Sequence, residues 1–452
     1  RWTGDPVNTI KVGLGYVKYI ECDNERDKWW KGRKGYQTAY EYAANLSAFY
    51  DGHKNTMGPG VGVKNADPTM KIVMGGLASA NTEYLLGMIE WCKLNRGYKA
   101  DGTINLCWDV INYHWYAHDA QMIPNAVPTR GIAPELGKTF QKAKDFISVA
   151  NKYAGGMPVW VTEVGYDANP NSPMRAIPIG TKSILKTQAD WILRSSFLYA
   201  RAGVERIFFY QAYDDNFDNP IQYGSSGLLN QDRTRKPAAD YIYQAYTVLG
   251  NYKYKSTLNY DPIVDRYELN GESAYVMYIP DEVGRAQLYT LDLPGADSAT
   301  VYNFVVGSKF MRTNKLKVKN GKFAITLNET PVFVIPQYPA PAPAMSMMSI
   351  DAKTAFKKEP EPTVTPNGFD IAVYPSPAQK YVNVSFSNTN YKDVNISVAD
   401  AVMGHIYSNS NFSKPGESFA QIIDVSQLPR GVCLIMIKQD GKTTVKRVIK
   451  TD

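Results

Sequence analysis

Glu25 and Glu163 are the residues of this 452-residue chain whose type and position best suit chemistry. Glu25 closes Asp23-Asn24-Glu25 after one apolar run, and Glu163 closes Trp160-Val161-Thr162-Glu163 after another. Each stands where a strand pattern gives way to a loop, which is where a parallel α/β barrel carries its reactive groups. Two carboxylates on separate strand ends suit the cleavage of a sugar acetal, one protonating the leaving oxygen and the other attacking the anomeric carbon. Glu25 is the candidate acid/base and Glu163 the candidate nucleophile. Glu21, deeper in the first run, is a rival acid with less reach. The alternative for either glutamate is an ordinary ion pair at a strand end, for Glu25 with Arg26 or Lys28.

Several neighbours fit the same chemistry. Asn24 can hydrogen-bond a sugar hydroxyl, a contact that strengthens as charge develops. Between the glutamates lies Asn112-Tyr113-His114-Trp115-Tyr116, in which strand alternation puts His114 and Tyr116 on one face and Tyr113 and Trp115 on the other. A tyrosine hydroxyl can hold a nucleophilic carboxylate ionised, and a histidine can bond a substrate hydroxyl or the acid. Trp29 and Trp30 follow Glu25, and Tyr210 and Gln211 end a later strand. The aromatic faces suit the C–H faces of sugars, and the amide suits their hydroxyls. This chemistry needs no metal and no organic cofactor.

The elements that must position these groups alternate in type. Strand patterns run over 11–21, 71–78, 109–115, 158–163 and 206–212. Helical spacing of apolar residues covers 38–52, 82–95, 134–153 and 183–203, and a last helix, 237–249, opens with Pro237 at its first turn. These are β/α units, five of them, too few to close an eight-stranded barrel. From 255 to 336 the period changes to two, which predicts a small accessory β-sandwich. Residues 337–367, rich in Pro and Ala, read as an extended linker. Residues 368–452 return to alternation and form a second small β domain.

Composition bounds the rest. The hydrophobic content of 44% fills real cores, and the net charge of +7 is spread without a basic block, which argues against a nucleic-acid partner. Cys22, Cys92, Cys107 and Cys433 lie far apart along the chain and read as buried apolar residues. No stretch approaches the roughly 20 apolar residues of a membrane helix. The start at Arg1, almost directly in a core-like strand, suggests a missing front portion.

Taken in order, Asn24-Glu25, His114-Trp115-Tyr116, Thr162-Glu163 and Gly227-Leu228-Leu229, with Asp232 and Lys236-Pro237-Ala238 behind, resemble the retaining β-glycosidases of glycoside hydrolase clan A. That superfamily includes cellulases, mannanases and β-xylosidases. The resemblance covers about residues 12–245. It implies a (β/α)8 barrel in which Glu25 ends the fourth strand, Glu163 the seventh and 206–212 is the eighth, so strands one to three are lacking. It also implies double displacement on β-linked plant or microbial polysaccharide or oligosaccharide, by a monomer. The carboxyl groups should then stand about 5–5.5 Å apart, and an ionised Glu163 should raise the pKa of Glu25. Tyr210 departs from the family, many of whose members place a tryptophan there. A catalytically silent surface polysaccharide-binding protein and a transglycosylase are the other readings.

A second resemblance covers the C-terminus. Ile371-Ala372-Val373-Tyr374-Pro375-Ser376-Pro377-Ala378, then Val382, Val384 and Phe386, then Leu428-Pro429-Arg430-Gly431, and a Lys-rich final strand look like the C-terminal sorting domain of the Bacteroidetes type IX secretion system. This implies the type IX machinery as partner and a secreted or outer-membrane surface-attached location.

Overall fold

The computed structural model describes residues 15–123, 126–339 and, between 372 and 451, the strands and some of their connections. Residues 11–14 of the first expected strand, most of the expected linker and the Pro375-Ser376-Pro377 motif lie outside the described residues. The chain divides into two compact units, 1–345 and 346–452.

In the first unit β1 (Tyr19–Cys22), β2 (Lys71–Met74), β3 (Ile111–His114), β4 (Val159–Val164) and β5 (Arg206–Phe209) follow one another in parallel. Ladders join β1 to β2, β3 to β4 and β4 to β5, and the bridges Val73–Val110 and Leu77–Tyr113 join β2 to β3. Between them run α1 (Ala39–Asp51), the short α2 (Val63–Ala66), α3 (Thr82–Asn95), α4 (Thr139–Tyr153) and α5 (Ile184–Ala202), and α6 (Pro237–Leu249) follows β5. The architecture is α/β. Among the described residues no closed barrel forms, since β1 and β5 each have a single partner strand.

Local chemistry sets the ends of these elements. Thr38 and Glu41 form a reciprocal capping box on α1, and Asn81 caps α3 through the Glu83 amide. Pro237 occupies the first turn of α6, where a missing N–H costs nothing. β2 stops at Met74, short of the expected 78, because the next two amides turn to side chains: Gly75 N donates to the Tyr42 hydroxyl and Gly76 N to Glu21. α4 begins at Thr139 and not at 134, since the preceding residues turn on the Leu136 N to Ala133 O bond. β5 likewise ends at Phe209, before the expected 212.

The central strands β2, β3 and β4 bury both faces. Ile111, Tyr113, Val161 and Val164 pack outward against Leu46, Leu85 and Phe146 of the helices, with Tyr113 stacked on Phe146 at 4.2 Å. Val73, Val110 and Trp160 pack on the inner side against Tyr19. Cys92 and Cys107, distant in sequence, meet inside the outer core with their sulfurs 3.8 Å apart.

Beyond α6 the chain is antiparallel: β6 (Lys253–Tyr260), β7 (Ile263–Leu269), β8 (Glu272–Tyr278), β9 (Gln287–Asp292), β10 (Ser298–Asn303), β11 (Arg312–Lys317), β12 (Lys322–Leu327) and β13 (Val332–Gln337). Six of these form one sheet in the order β11-β10-β13-β8-β7-β6, and β12 pairs with β9. Alternation along β8 sends Ala274, Val276 and Tyr278 toward Trp191 of α5 and Tyr241 of α6. Tyr275 and Met277 point the other way, toward Leu291 and Phe323. The large sheet thus shares a core with the helices on one face and with β9 and β12 on the other.

The second unit contains β14 (Ala372–Tyr374), β15 (Tyr381–Ser387), β16 (Asp393–Asp400), β17 (Ile406–Ser413), β18 (Ser418–Asp424), β19 (Gly431–Gln439) and β20 (Lys442–Lys450). They form two antiparallel sheets, β14-β15-β18 and β17-β16-β19-β20, around Val382, Val384, Ile396, Ile435 and Ile437.

Candidate active site

Glu25 leaves β1 through a turn in which Asp23 and Glu25 both take left-handed backbone, φ 69° and 54°. That conformation is uncommon for residues with a Cβ, and clusters of it mark functional loops. The turn is pinned by Glu25 N donating to Gly76 O at 3.1 Å. The carboxylate it delivers is buried, with Oε1 3.0 Å from His114 Nδ1. The Lys28 ammonium pairs with Oε2, and Asn24 Nδ2 lies 3.5 Å from the same oxygen.

Glu163 arrives from β4 by a different device. Strict alternation would turn Glu163 outward with Val161, toward the helices. The ladder slips instead: Tyr113 pairs with Val161 and His114 with Glu163, leaving Thr162 as an extra residue. Such a bulge re-aims side chains. Here it turns both Thr162 and Glu163 inward, so that Glu163 Oε2 accepts the Tyr116 hydroxyl at 2.9 Å and lies 3.5 Å from His114 Nδ1. One oxygen of Glu25, one of Glu163 and a ring nitrogen of His114 all fall within 4.8 Å of one another. A divalent cation could span that distance. The Lys28 ammonium on Glu25 Oε2 and the Tyr116 hydroxyl on Glu163 Oε2 already supply a positive charge and a donor to the two carboxylates.

The electrostatics follow from burial. Desolvation pushes the His114 pKa down, against the pull of Glu163 and Glu21, which favours a neutral ring. Burial, then the Glu163 charge, pushes the Tyr116 pKa up, so its hydroxyl keeps its proton and serves as a donor. Desolvation lowers the Lys28 pKa.

Of the expected substrate-binding residues, His114 and Tyr116 contact the carboxylates directly. Tyr210 joins a wall that sequence patterning does not reveal: Tyr223, from the loop after β5, sets its ring 4.6 Å from that of Tyr116 and 5.9 Å from that of Tyr210. Gln211 donates to Tyr223 O at 3.3 Å and so holds this loop. Trp29 and Trp30 form a short 3-10 turn beyond Glu25, edge to face with each other and open to solvent. A cavity of about 710 Å3 lies at the other end of the strands, beside Lys71, Asp109, Pro158 and Glu205, away from the carboxylates.

Gly76 shows how tightly the cluster is seated, since a Cβ there would stand 2.0 Å from His114 Nε2. Gly76→Ala is expected to displace the ring and cost about 1–3 kcal/mol of stability, the usual cost of overpacking. Urea denaturation checks the stability. Turnover is expected to fall further than that loss explains, because His114 leaves both carboxylates.

Residues 372–451 match the family described as the secretion system C-terminal sorting domain. This domain marks the chain for type IX secretion, so it is secreted or attached to the cell surface. No helix among the described residues is long and apolar enough to cross a membrane. None of the curated proteins matches the chain. Solved structures similar to the chain include glycoside hydrolases, at low identity. One is a family 39 glycoside hydrolase from Bacteroides cellulosilyticus WH2, with 18% identity and a TM-score of 0.51 over 72% of this chain and 59% of that one. Others are a GH30 endoxylanase from Clostridium papyrosolvens C71 (14%, TM-score 0.42, 71% and 66%) and a family 86 β-porphyranase from Bacteroides plebeius (11%, 0.44, 96% and 78%). The first of these likenesses shows the fold: an α/β unit like a glycoside hydrolase catalytic domain. The chain spans about three-fifths of the length of that structure.

Proposed function

We propose that this chain is a secreted retaining β-glycosidase that hydrolyses β-linked polysaccharide or oligosaccharide by double displacement. In this reading residues 1–254 are strands four to eight of a (β/α)8 barrel, 255–336 an accessory β module, 337–367 a linker and 368–452 the sorting domain. The observation that carries it is that one oxygen of Glu25 and one of Glu163 lie within 4.8 Å of each other, near enough for both carboxyl groups to act on one anomeric centre as the roughly 5–5.5 Å separation of retaining enzymes requires.

Glu163, ionised and oriented by Tyr116, attacks the anomeric carbon. Glu25 gives its proton to the departing oxygen, and the glycosidic bond breaks as the ester to Glu163 forms. Glu25, now ionised and beside the Lys28 ammonium, takes a proton from water. The hydroxide so formed attacks the anomeric carbon, the ester bond breaks and Glu163 is released. Tyr116 thus supports the ionised Glu163 of the first step and Lys28 the ionised Glu25 of the second. Tyr116, Tyr210 and Tyr223 offer an aromatic wall beside Glu163 for a sugar ring.

The test is proton NMR of the first product formed from β-linked glucans, xylans and mannans by the full-length protein. Release of the β-anomer ahead of mutarotation is expected. An initial α-anomer would exclude double displacement, and polysaccharide binding without any cleavage would favour a silent binding protein.

A further inference from the structure

Beneath the Glu25–His114–Glu163 cluster lies a carboxylate that the double displacement does not use. Glu21, on β1, is open to solvent on one side and crowded by protein on the others. Its Oε1 accepts from Gly76 N at 3.0 Å, from Asn112 Nδ2 at 2.9 Å and from the Thr162 hydroxyl at 3.4 Å. Three donors converging on one oxygen favour the ionised carboxylate. Desolvation opposes that ionisation and raises its pKa, while the Gly76 amide, His114 and Thr162 favour it.

The hydrogens of this layer can be counted. Asn112 Oδ1 accepts from Thr162 N at 3.2 Å, which fixes its amide so that Nδ2 is the donor to both Glu21 and Thr162 Oγ1, the latter at 2.7 Å. The Thr162 hydroxyl has one hydrogen and two lone pairs. Its hydrogen goes to Glu21, one lone pair takes the Asn112 hydrogen, and the other takes what His114 Nε2 presents at 3.0 Å. With the hydroxyl hydrogen on Glu21, the partner left for the second lone pair is an N–H on His114 Nε2. Nδ1 then faces Glu25 Oε1 as a bare acceptor at 3.0 Å, a position satisfied when Glu25 holds its acidic proton.

We propose that Glu21 is a positioning residue which, through Thr162, fixes the tautomer of His114 and thereby holds Glu25 in its proton-donating form. The inference rests on the reading of Glu25 as acid/base. The other charges facing this ring are Glu163, Lys28 and Asp27. Lys28, on the opposite oxygen of Glu25, favours the ionised form that the second chemical step needs. Glu21 and Lys28 thus pull the same carboxyl toward its two working states.

Glu21→Ala reverses the pattern. The Thr162 hydroxyl loses its acceptor, still takes the Asn112 hydrogen on one lone pair, and turns its own hydrogen to His114 Nε2, which drives the ring proton to Nδ1. Thr162→Val removes the relay by another route and frees Nε2 from its partner. Nitrogen-15 NMR of histidine-labelled full-length protein reads the tautomer directly, and the chain has only four histidines to assign. At a pH where Glu25 is protonated the expected result is an Nε2–H ring in the parent and an Nδ1–H ring in Glu21→Ala. The same tautomer in both overturns the proposal.

Kinetics supply a second readout that a merely structural role would not move. With Glu21→Ala the basic limb of kcat/KM should shift to lower pH. Alkyl or phenyl β-glycosides, which need the proton, should lose on the order of tenfold more than dinitrophenyl glycosides, a part of the ~10²–10⁴ that acid catalysis contributes. A uniform loss across leaving groups, with the pH limb unmoved, overturns the proposal while leaving the glycosidase reading intact. If no glycoside is cleaved by the parent, the glycosidase reading fails and the tautomer measurement still decides the relay.

Discussion

Glu163→Gln is expected to reduce turnover of β-linked substrate by roughly 10⁴- to 10⁶-fold, the scale seen when a covalent nucleophile is deleted from a hydrolase. That corresponds to about 5.5–8 kcal/mol of transition-state stabilisation. The substitution is nearly isosteric, and the amide oxygen can still accept the Tyr116 hydroxyl that now bonds Oε2 at 2.9 Å. What disappears is a nucleophile able to form an ester at the anomeric carbon. The thermal unfolding midpoint should stay within a few degrees of the parent. Azide, small and anionic, should restore activity in Glu163→Gly by entering the space left and yielding an α-glycosyl azide. Turnover by Glu163→Gln within tenfold of the parent, in a folded protein, would remove Glu163 from the mechanism.

Strand periodicity made much of this site legible. Glu25 and Glu163 stood out because each closes an apolar run, and the period of two along 112–116 put His114 and Tyr116 on one face, where both touch the carboxylates. The same period misleads at Thr162-Glu163, where alternation allows only one of the pair to face inward. The bulge that turns both inward is a property of the ladder between neighbouring strands, and no local pattern announces it. Tyr223 was hidden for a related reason. It lies in a loop without periodicity and is held beside Tyr116 by partners distant in sequence, among them buried Asp167, which accepts from its amide at 2.9 Å. The antiparallel region was legible as β structure from its alternation. Its large sheet being cored against α5 and α6 was not, since alternation tells which residues share a face but not what covers it.

Lys236→Met is expected to destabilise the first unit by about 3–5 kcal/mol, the cost of stripping a buried charge of its partner. The Lys236 and Asp214 side chains are 0% and 1% exposed, and Nζ stands 2.6 Å from Oδ1. Burial pushes the Lys236 pKa down and the Asp214 pKa up, so each ion persists because the other is present. Lys236 also donates to Ser225 O at 3.1 Å, and Asp214 accepts from Gly227 N at 2.9 Å. The pair therefore closes the loop that carries Tyr223 to the site. In the variant Asp214 loses its cation, and its folded pKa rises further above the unfolded value. The penalty should then be largest near neutrality and shrink as the pH falls toward that unfolded value and Asp214 takes up a proton. Adding Asp214→Asn to Lys236→Met removes the stranded charge and should recover part of the loss. Urea denaturation of both variants between pH 5 and pH 8 tests this, and a double variant no more stable than the single at neutral pH would show that the ion pair does not hold the loop. Because Tyr223 rides on that loop, the single variant should also lose kcat/KM at temperatures where it remains folded.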